Sequence, residues 1–166
     1  DLATLTAADA DDSDTLGSSV AISGNTIVAG ARGDSGVQSA EGSAYIFVEP
    51  AGGWEDSTQT AKLTASDPES AKVLGTSVAI SGSVVLVGAE GDSVLESVAG
   101  AVYVFLQPDA GWSDATEDHK INASDAQSGD FFSRGLAIDG ASALVGAYNE
   151  DELGSNAGAA YFYGWN

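Results

Sequence analysis

Several residue types are absent or scarce in this sequence of 166 residues, and each absence narrows the possible functions. Cysteine is absent, which excludes disulfide bonds, thiol nucleophiles and thiolate metal sites. The single histidine, His119, leaves few ways to pair a nucleophile with a base, so we expect that the protein is not an enzyme. No apolar run approaches the ~18 residues of a membrane-spanning helix, so we expect no insertion into a membrane.

Positive charge is also scarce. Only 5 Lys and Arg residues stand against 25 Asp and Glu residues, which gives a formal net charge of −20. This charge disfavours nucleic acids and anionic membranes as partners. The chain nevertheless contains 43% hydrophobic residues, which is enough apolar material for a core. We therefore predict one folded domain that spans residues 1–166.

An internal repeat is the main feature of what is present. The segment SVAISG at residues 19–24 returns as SVAISG at 77–82 and as GLAIDG at 135–140, a constant interval of 58 residues. The interval defines three repeat units, at about 1–58, 59–116 and 117–166. Such periodicity is typical of folds that stack one structural unit several times.

Each unit has the pattern of short β-strands separated by turns. In the first unit, residues 20–22 lead through the tight turn SGN into a strand at 26–31, and further strands are predicted at 42–48 and 60–65. The second and third strands are apolar at successive positions, which indicates that both faces of the sheet are covered. The pattern predicts an all-β fold of three four-stranded antiparallel blades in a β-propeller-like repeat array.

The recurring segments also resemble those of a known family. They are LGSSVAI at 16–22 with VAGA at 28–31, LGTSVAI at 74–80 with VGA at 87–89, and FSRGLAI at 132–138 with VGA at 145–147. These segments resemble the FG-GAP repeat. The resemblance implies blades like those of integrin-α propellers and secreted bacterial proteins, an extracellular or cell-surface location, and a role in adhesion, matrix or ligand binding without catalytic residues. Integrin-type blades carry a calcium loop between their first two strands, but the connections here, such as SGN, are too short for it.

One strand of the predicted array is displaced to the N-terminus. The third copy stops after its third strand, whereas a segment that matches the fourth strand precedes the first blade. This candidate assembly strand consists of Leu2, Ala3, Thr4, Leu5, Thr6 and Ala7. Because closed propellers typically have about 4–8 blades, three blades are too few to close a ring. The alternatives are a fragment of a longer array, an isolated three-blade unit, a six-bladed ring of two chains, and head-to-tail strand addition that gives a ring or a filament.

Acidic turns are the candidate metal sites. Six aspartates suit Ca²⁺ as a cofactor, because this cation takes oxygen ligands. They are Asp9, Asp11, Asp14, Asp67, Asp125 and Asp130. The competing interpretation is that Asp9, Asp67 and Asp125, which recur in every copy, cap their turns by hydrogen bonds to the backbone. A second set of acidic loops, which includes Asp34 and Asp92, is also a candidate for cation binding.

The sequence therefore leaves two functions open. The first is a secreted structural or adhesive propeller protein that assembles head to tail into an extracellular fibre or ring by strand complementation. Its partner would be a further copy of itself, or other surface proteins and glycans. The alternative is a calcium-dependent carbohydrate- or protein-binding module of a larger cell-surface propeller.

Overall fold

The structure, a computed structural model, describes residues 2–165, and this part of the chain forms β-strands without an α-helix. The strands are β1 (Leu5–Thr6), β2 (Leu16–Ser23), β3 (Thr26–Ala31), β4 (Ser43–Val48), β5 (Ser57–Thr58), β6 (Ala61–Thr64), β7 (Leu74–Ser81), β8 (Val84–Ala89), β9 (Ala101–Leu106), β10 (Ala115–Thr116), β11 (His119–Ile121), β12 (Phe132–Asp139), β13 (Ser142–Ala147) and β14 (Ala159–Gly164). Among these described residues, no helix is long and apolar enough to cross a membrane.

The strands form three blades, as the repeat predicts. Blade 1 consists of β2, β3, β4 and β6, blade 2 of β7, β8, β9 and β11, and blade 3 of β12, β13 and β14. Strand pairing within each blade is antiparallel. The all-β, propeller-like fold is therefore confirmed, although the blades do not close into a ring. Within residues 2–165, blade 3 has three strands where the other blades have four.

A two-residue turn joins the first two strands of each blade. In blade 1, Ser23 pairs with Thr26, which leaves Gly24 and Asn25 in the turn. Gly24 has a φ of 58°, a left-handed conformation that glycine adopts without a steric penalty. The SGN pattern therefore sets the hairpin that begins the blade.

The fourth strands are shorter than the sequence predicts. The predicted strand at 60–65 is paired only over β6, and the predicted strand at 2–7 only over β1. The short strands β5 and β10, which the sequence analysis did not identify, pair in parallel with β1 and β6. At equivalent positions of the repeat, Asp56 accepts a hydrogen bond from the backbone N–H of Thr4, and Asp114 accepts one from the backbone N–H of Lys62. Each outer strand is therefore held from outside by the segment that leads into the next fourth strand.

Hydrophobic side chains between neighbouring blades form the core. Between blades 1 and 2, Val28 of β3 shares a cluster with Val85 and Phe105. Between blades 2 and 3, Leu86 of β8 shares a cluster with Val145 of β13. Val85 and Leu86 are adjacent in β8 and both are fully buried. One strand thus contributes to two junctions, which explains its uninterrupted apolar sequence.

Glycine permits the close approach of neighbouring blades. A Cβ atom on Gly30 of blade 1 would lie 2.0 Å from the carbonyl oxygen of Gly75 in blade 2. A Cβ atom on Gly88 of blade 2 would lie 2.7 Å from the carbonyl oxygen of Ser133 in blade 3. Gly146 has the same position in blade 3, but the nearest atoms there would be 3.8 Å away and belong to blade 3 itself. The packing surface of blade 3 is therefore open where the other two blades are covered.

Candidate assembly site on blade 3

A cluster of charged side chains surrounds the tyrosine of blade 2. The Nζ atom of Lys72 lies 2.8 Å from a carboxylate oxygen of Asp67 and 3.0 Å from one of Asp92. The Nζ atom of Lys120 lies 2.8 Å from each of the same two carboxylates. Lys72 also donates a hydrogen bond to the hydroxyl oxygen of Tyr103, which in turn donates to Asp92. Two ammonium groups and two carboxylates thus compensate one another at a largely buried position.

Burial and ion pairing have opposite effects on the carboxylates of this cluster. Burial alone would raise the pKa of Asp67, but hydrogen bonds from Lys120 and Lys72 outweigh it and lower this pKa to about 2. The same balance lowers the pKa of Asp92. Burial, together with hydrogen bonds to the two carboxylates, raises the pKa of Tyr103 well above its usual range. Tyr103 therefore remains a hydrogen-bond donor at any physiological pH.

Blade 1 has the same cluster with one lysine fewer. The Nζ atom of Lys62 lies 2.7 Å from Asp9 and 2.8 Å from Asp34, and the hydroxyl of Tyr45 donates to Asp9. Asp14 stands at the repeat position of Lys72, and its carboxylate accepts a hydrogen bond from the backbone N–H of Asp11. One ammonium group thus pairs with two carboxylates, and the position of the second lysine is taken by a carboxylate.

Among the described residues, the corresponding acidic side chains of blade 3 have no lysine partner. The hydroxyl of Tyr161 donates a hydrogen bond of 2.9 Å to Asp125. Glu150 and Asp130 stand at the repeat positions of Asp92 and Lys72, and they are only 4% and 2% exposed. Burial and the nearby charges of Asp125, Glu150 and Asp130 raise the pKa of Tyr161. Three carboxylates thus lie near Tyr161, and within residues 2–165 none of them forms an ion pair with a lysine or arginine.

The roles predicted for the aspartates are partly corrected. Asp9, Asp67 and Asp125 accept hydrogen bonds from tyrosine hydroxyls, and the first two also from lysines, so turn capping is not their main role. Asp130, like Asp14, does cap its turn, since it accepts a hydrogen bond from the backbone of Gln127. Within residues 2–165, no group of three or more His, Cys, Asp or Glu side chains is arranged to hold a metal ion. Calcium binding stays a prediction.

The sequence analysis missed the lysines of these clusters. Lys62 and Lys120 are separated by the repeat interval, as are Asp34 and Asp92. The shared interval was the available signal that a lysine and a carboxylate recur together. It does not reveal that they meet, because Lys62 lies on β6 and Asp34 in the loop between β3 and β4.

Within residues 2–165, β14 and β1 lack the pairing that their repeat counterparts in the other blades have. The third strand of blade 1, β4, pairs with β6, and the third strand of blade 2, β9, pairs with β11. The third strand of blade 3, β14, pairs only with β13. At the other end of the array, β1 has the repeat position of β6 and β11, but it pairs only with β5. Within residues 2–165, the array therefore has an extra fourth strand at one end and, at the other, a third strand that lacks a fourth-strand neighbour.

The outer faces of the terminal blades expose apolar side chains. Leu144 and Phe162 on blade 3 are 48% and 71% exposed, whereas Val28 and Ile46, their counterparts on blade 1, are fully buried under blade 2. The opposite face of blade 1 exposes Val20 and Ile22, whose counterparts in blade 2 are buried against blade 1. One end of the array thus has a face that receives a following blade, and the other end has a face that packs on a preceding blade.

Comparison with known proteins agrees with the repeat. The sequence profile of the FG-GAP repeat matches residues 1–47, 57–105 and 115–163. Among solved structures, the crystal structure of the computationally designed Ika4 protein is similar, with 14% sequence identity over 90% of this chain and 68% of the designed one and a TM-score of 0.48. No curated protein sequence matches the chain. With three matched repeats that cover most of its length, this chain belongs to the FG-GAP repeat family.

Proposed function

We propose that this protein is an extracellular structural or adhesive module whose copies assemble head to tail into a ring or fibre. In this assembly, β1 of one copy becomes the fourth strand of blade 3 in the next copy. The observation that supports the proposal best is the match between the two ends of the array. A third strand with one open edge and a fourth strand that is not paired with any third strand are present in the same chain.

The repeat defines the register of the proposed strand pairing. In blade 2, Val102 pairs with Ile121 and Tyr103 with Lys120. A shift by one repeat places Leu5 of the second copy opposite Ala160, and Thr4 opposite the tyrosine of blade 3. Strand addition at an open edge forms backbone hydrogen bonds and covers the edge against less specific association.

Side-chain packing would reinforce the strand pairing. If blade 1 of the second copy follows blade 3 of the first, its exposed Val20 and Ile22 meet the face that carries Leu144 and Phe162. These are the positions that pack between blades 1 and 2 within one chain. The contact is heterologous, because the two copies use different surfaces. Such contacts form a ring if the rotation closes after a few copies, as in a six-bladed ring of two chains, and a filament otherwise.

The substitution Gly146→Ala tests the packing of a second copy on blade 3. A Cβ atom at the equivalent glycines of blades 1 and 2 would collide with the inner strand of the next blade, whereas the space at Gly146 is open in the single chain. We expect Gly146→Ala to fold normally and to lower the mass of the native particle to that of one chain, 16.6 kDa, as measured by multi-angle light scattering.

Two further variants complete this experiment. Gly52→Ala is the matched control, since a Cβ atom there meets no other atom within 4 Å, and it should leave assembly unchanged. Deletion of residues 2–7 should abolish assembly while circular dichroism still shows folded blades. A wild-type chain that remains at 16.6 kDa at high concentration would contradict the proposal, as would full assembly of the deletion variant.

A further inference from the structure

The place of the tryptophan side chains in blades 1 and 2 points to a second feature of blade 3, apart from its open edge. In blades 1 and 2, the connection from the third to the fourth strand carries a tryptophan, Trp54 or Trp112. Trp112 is nearly buried, and it packs in one cluster with Ile46, Leu63 and Phe105 at the junction of blades 1 and 2. Trp54 packs in a similar way in one cluster with Leu5 of β1. One indole ring thus fills the outer part of the junction of blades 1 and 2, and the other packs in one cluster with Leu5 of β1 on the outer face of blade 1.

At the junction of blades 2 and 3, an apolar cavity of about 360 Å³ lies at this place. Its lining includes Val104, Ile121 and Tyr163, which are the repeat counterparts of Ile46, Leu63 and Phe105 in the cluster that contains Trp112. The cavity is continuous with the hydrophobic cluster between the two blades. Its lining also includes His119, at the position of Ala61, so a nitrogen atom is available here for the N–H of an indole. Pockets of this size and apolar character suit a ring-sized group.

The acidic side chains of blade 3 lie on the same face of β14 as this cavity. Lys62 and Lys120 come from the fourth strands of their own blades, and each places its Nζ atom between two carboxylates and over a tyrosine ring. In blade 3, Asp125 and Glu150 are the corresponding carboxylates. The tryptophan and lysine of the complete blades are eight positions apart, at residues 54 and 62 and at residues 112 and 120.

We propose that blade 3 is a receptor for an extended segment of a partner polypeptide that carries a tryptophan and, eight positions later, a lysine. The segment pairs with β14 as a fourth strand, its indole enters the cavity beside Tyr163, and its ammonium group pairs with Asp125 and Glu150. Charge complementarity and continuity with the blade 2–blade 3 interface both favour this occupant. This segment and β1 of a second copy would compete for the same edge of β14, and only the segment supplies a lysine, because β1 is preceded by Thr4 at the lysine position.

A synthetic peptide of residues 50–65, PAGGWEDSTQTAKLTA, is a suitable probe, because it contains both groups in the required order. We expect it to bind the full chain with one-to-one stoichiometry in isothermal titration calorimetry. Peptides with Trp54→Ala or Lys62→Ala should each bind about tenfold more weakly, which corresponds to ~1.4 kcal/mol. A peptide with both changes and a peptide of residues 2–7 should bind more weakly still.

Variants of the protein locate the two contacts. Glu150→Gln keeps the size of the side chain and an oxygen acceptor. In a double-mutant cycle, it should remove much of the difference in affinity between the unchanged peptide and the peptide with Lys62→Ala. Leu106→Asp, at the exposed rim of the cavity, should weaken binding of the unchanged peptide but not of the peptide with Trp54→Ala.

The outcomes separate this inference from the proposed assembly. Equal binding of the wild-type and doubly substituted peptides would overturn the inference, and so would no binding at millimolar concentration. Light scattering of the chain without peptide reports on assembly through β1 alone. A chain that stays at 16.6 kDa but binds the peptide refutes self-assembly and supports the receptor. A chain that assembles, and whose assembly is not dissociated by the peptide, supports self-assembly and refutes the receptor.

Discussion

Blades 2 and 3 both place carboxylates around a tyrosine, but they differ in the cations that compensate the negative charge of these carboxylates. In blade 2, two lysines lie within 3.0 Å of Asp67 and Asp92. In blade 3, the corresponding carboxylates have no lysine among the described residues. The cost of leaving a charge unpaired rises with burial, and the carboxylates at both places are partly or fully shielded from water.

The difference follows from the origin of the two cations in blade 2. Lys72 lies just before the first strand of the blade, and Lys120 lies on its fourth strand. Blade 3 has Asp130 at the first position, and its fourth strand is not among residues 2–165. In blades 1 and 2, the lysine on the fourth strand thus pairs with the carboxylates of its own blade. In the structure of residues 2–165, the carboxylates of blade 3 have no such partner.

The largest effect is expected from Lys72→Ala. The substitution leaves the buried Asp92 with one ammonium partner instead of two, and loss of one member of a buried ion pair costs about 3–5 kcal/mol. We therefore expect a loss of about 4 kcal/mol in the free energy of unfolding, measured with urea. Lys62→Ala in blade 1 should cost less, because Lys62 is more accessible to water. A loss at Lys72 that is equal to or smaller than the loss at Lys62 would contradict the expected dependence of this cost on burial.

The second largest loss of stability is expected from substitution of the tryptophans that cover the outer part of the blades. Trp112→Ala should destabilise the protein by about 3 kcal/mol, because removal of a buried aromatic side chain leaves a cavity like the one between blades 2 and 3. Trp54→Ala should cost less, since Trp54 is only partly buried. Free indole should restore part of the lost thermal stability of Trp112→Ala. If Trp54→Ala is the more harmful of the two, the proposed equivalence of the junctions is wrong.

Much of the fold was predictable because its signals are local or periodic. The apolar sequence of β8 and the SGN turn before β3 predict strands and a hairpin without knowledge of the tertiary structure. The interval of 58 residues then extends the result to every blade. The parallel pairing of β5 with β1 was not predictable, because these two-residue strands form only where a neighbouring segment passes by.

The charged clusters were less accessible to sequence analysis. Asp67, Lys72 and Lys120 lie in different segments of the chain, and only the pairing of the strands of blade 2 brings them together. The sequence analysis identified the aspartates as candidate cation ligands. Of these, Asp9 and Asp67 pair with lysine ammonium groups of the same chain, which the sequence analysis did not predict, and calcium binding stays a prediction. No local pattern of a single sequence encodes which charges of a blade meet after folding.

The smallest expected effect is the pH dependence of the stability that the paired carboxylate Asp67 of blade 2 contributes. The pKa of Asp67 falls from 3.8 to about 2 on folding, so the folded state binds this proton less tightly than the unfolded state does. Its contribution is therefore fully present above pH 4 and is lost as the pH falls towards 2. Because Asp67 is partly exposed, we expect only ~1 kcal/mol after allowance for solvent screening. Asp67→Asn should flatten the loss of stability between pH 4 and pH 2, measured by urea unfolding, relative to the wild type. If both proteins lose stability equally over this range, Asp67 is not held by the two lysines in solution, and the contrast between blades 2 and 3 would not arise from ion pairing.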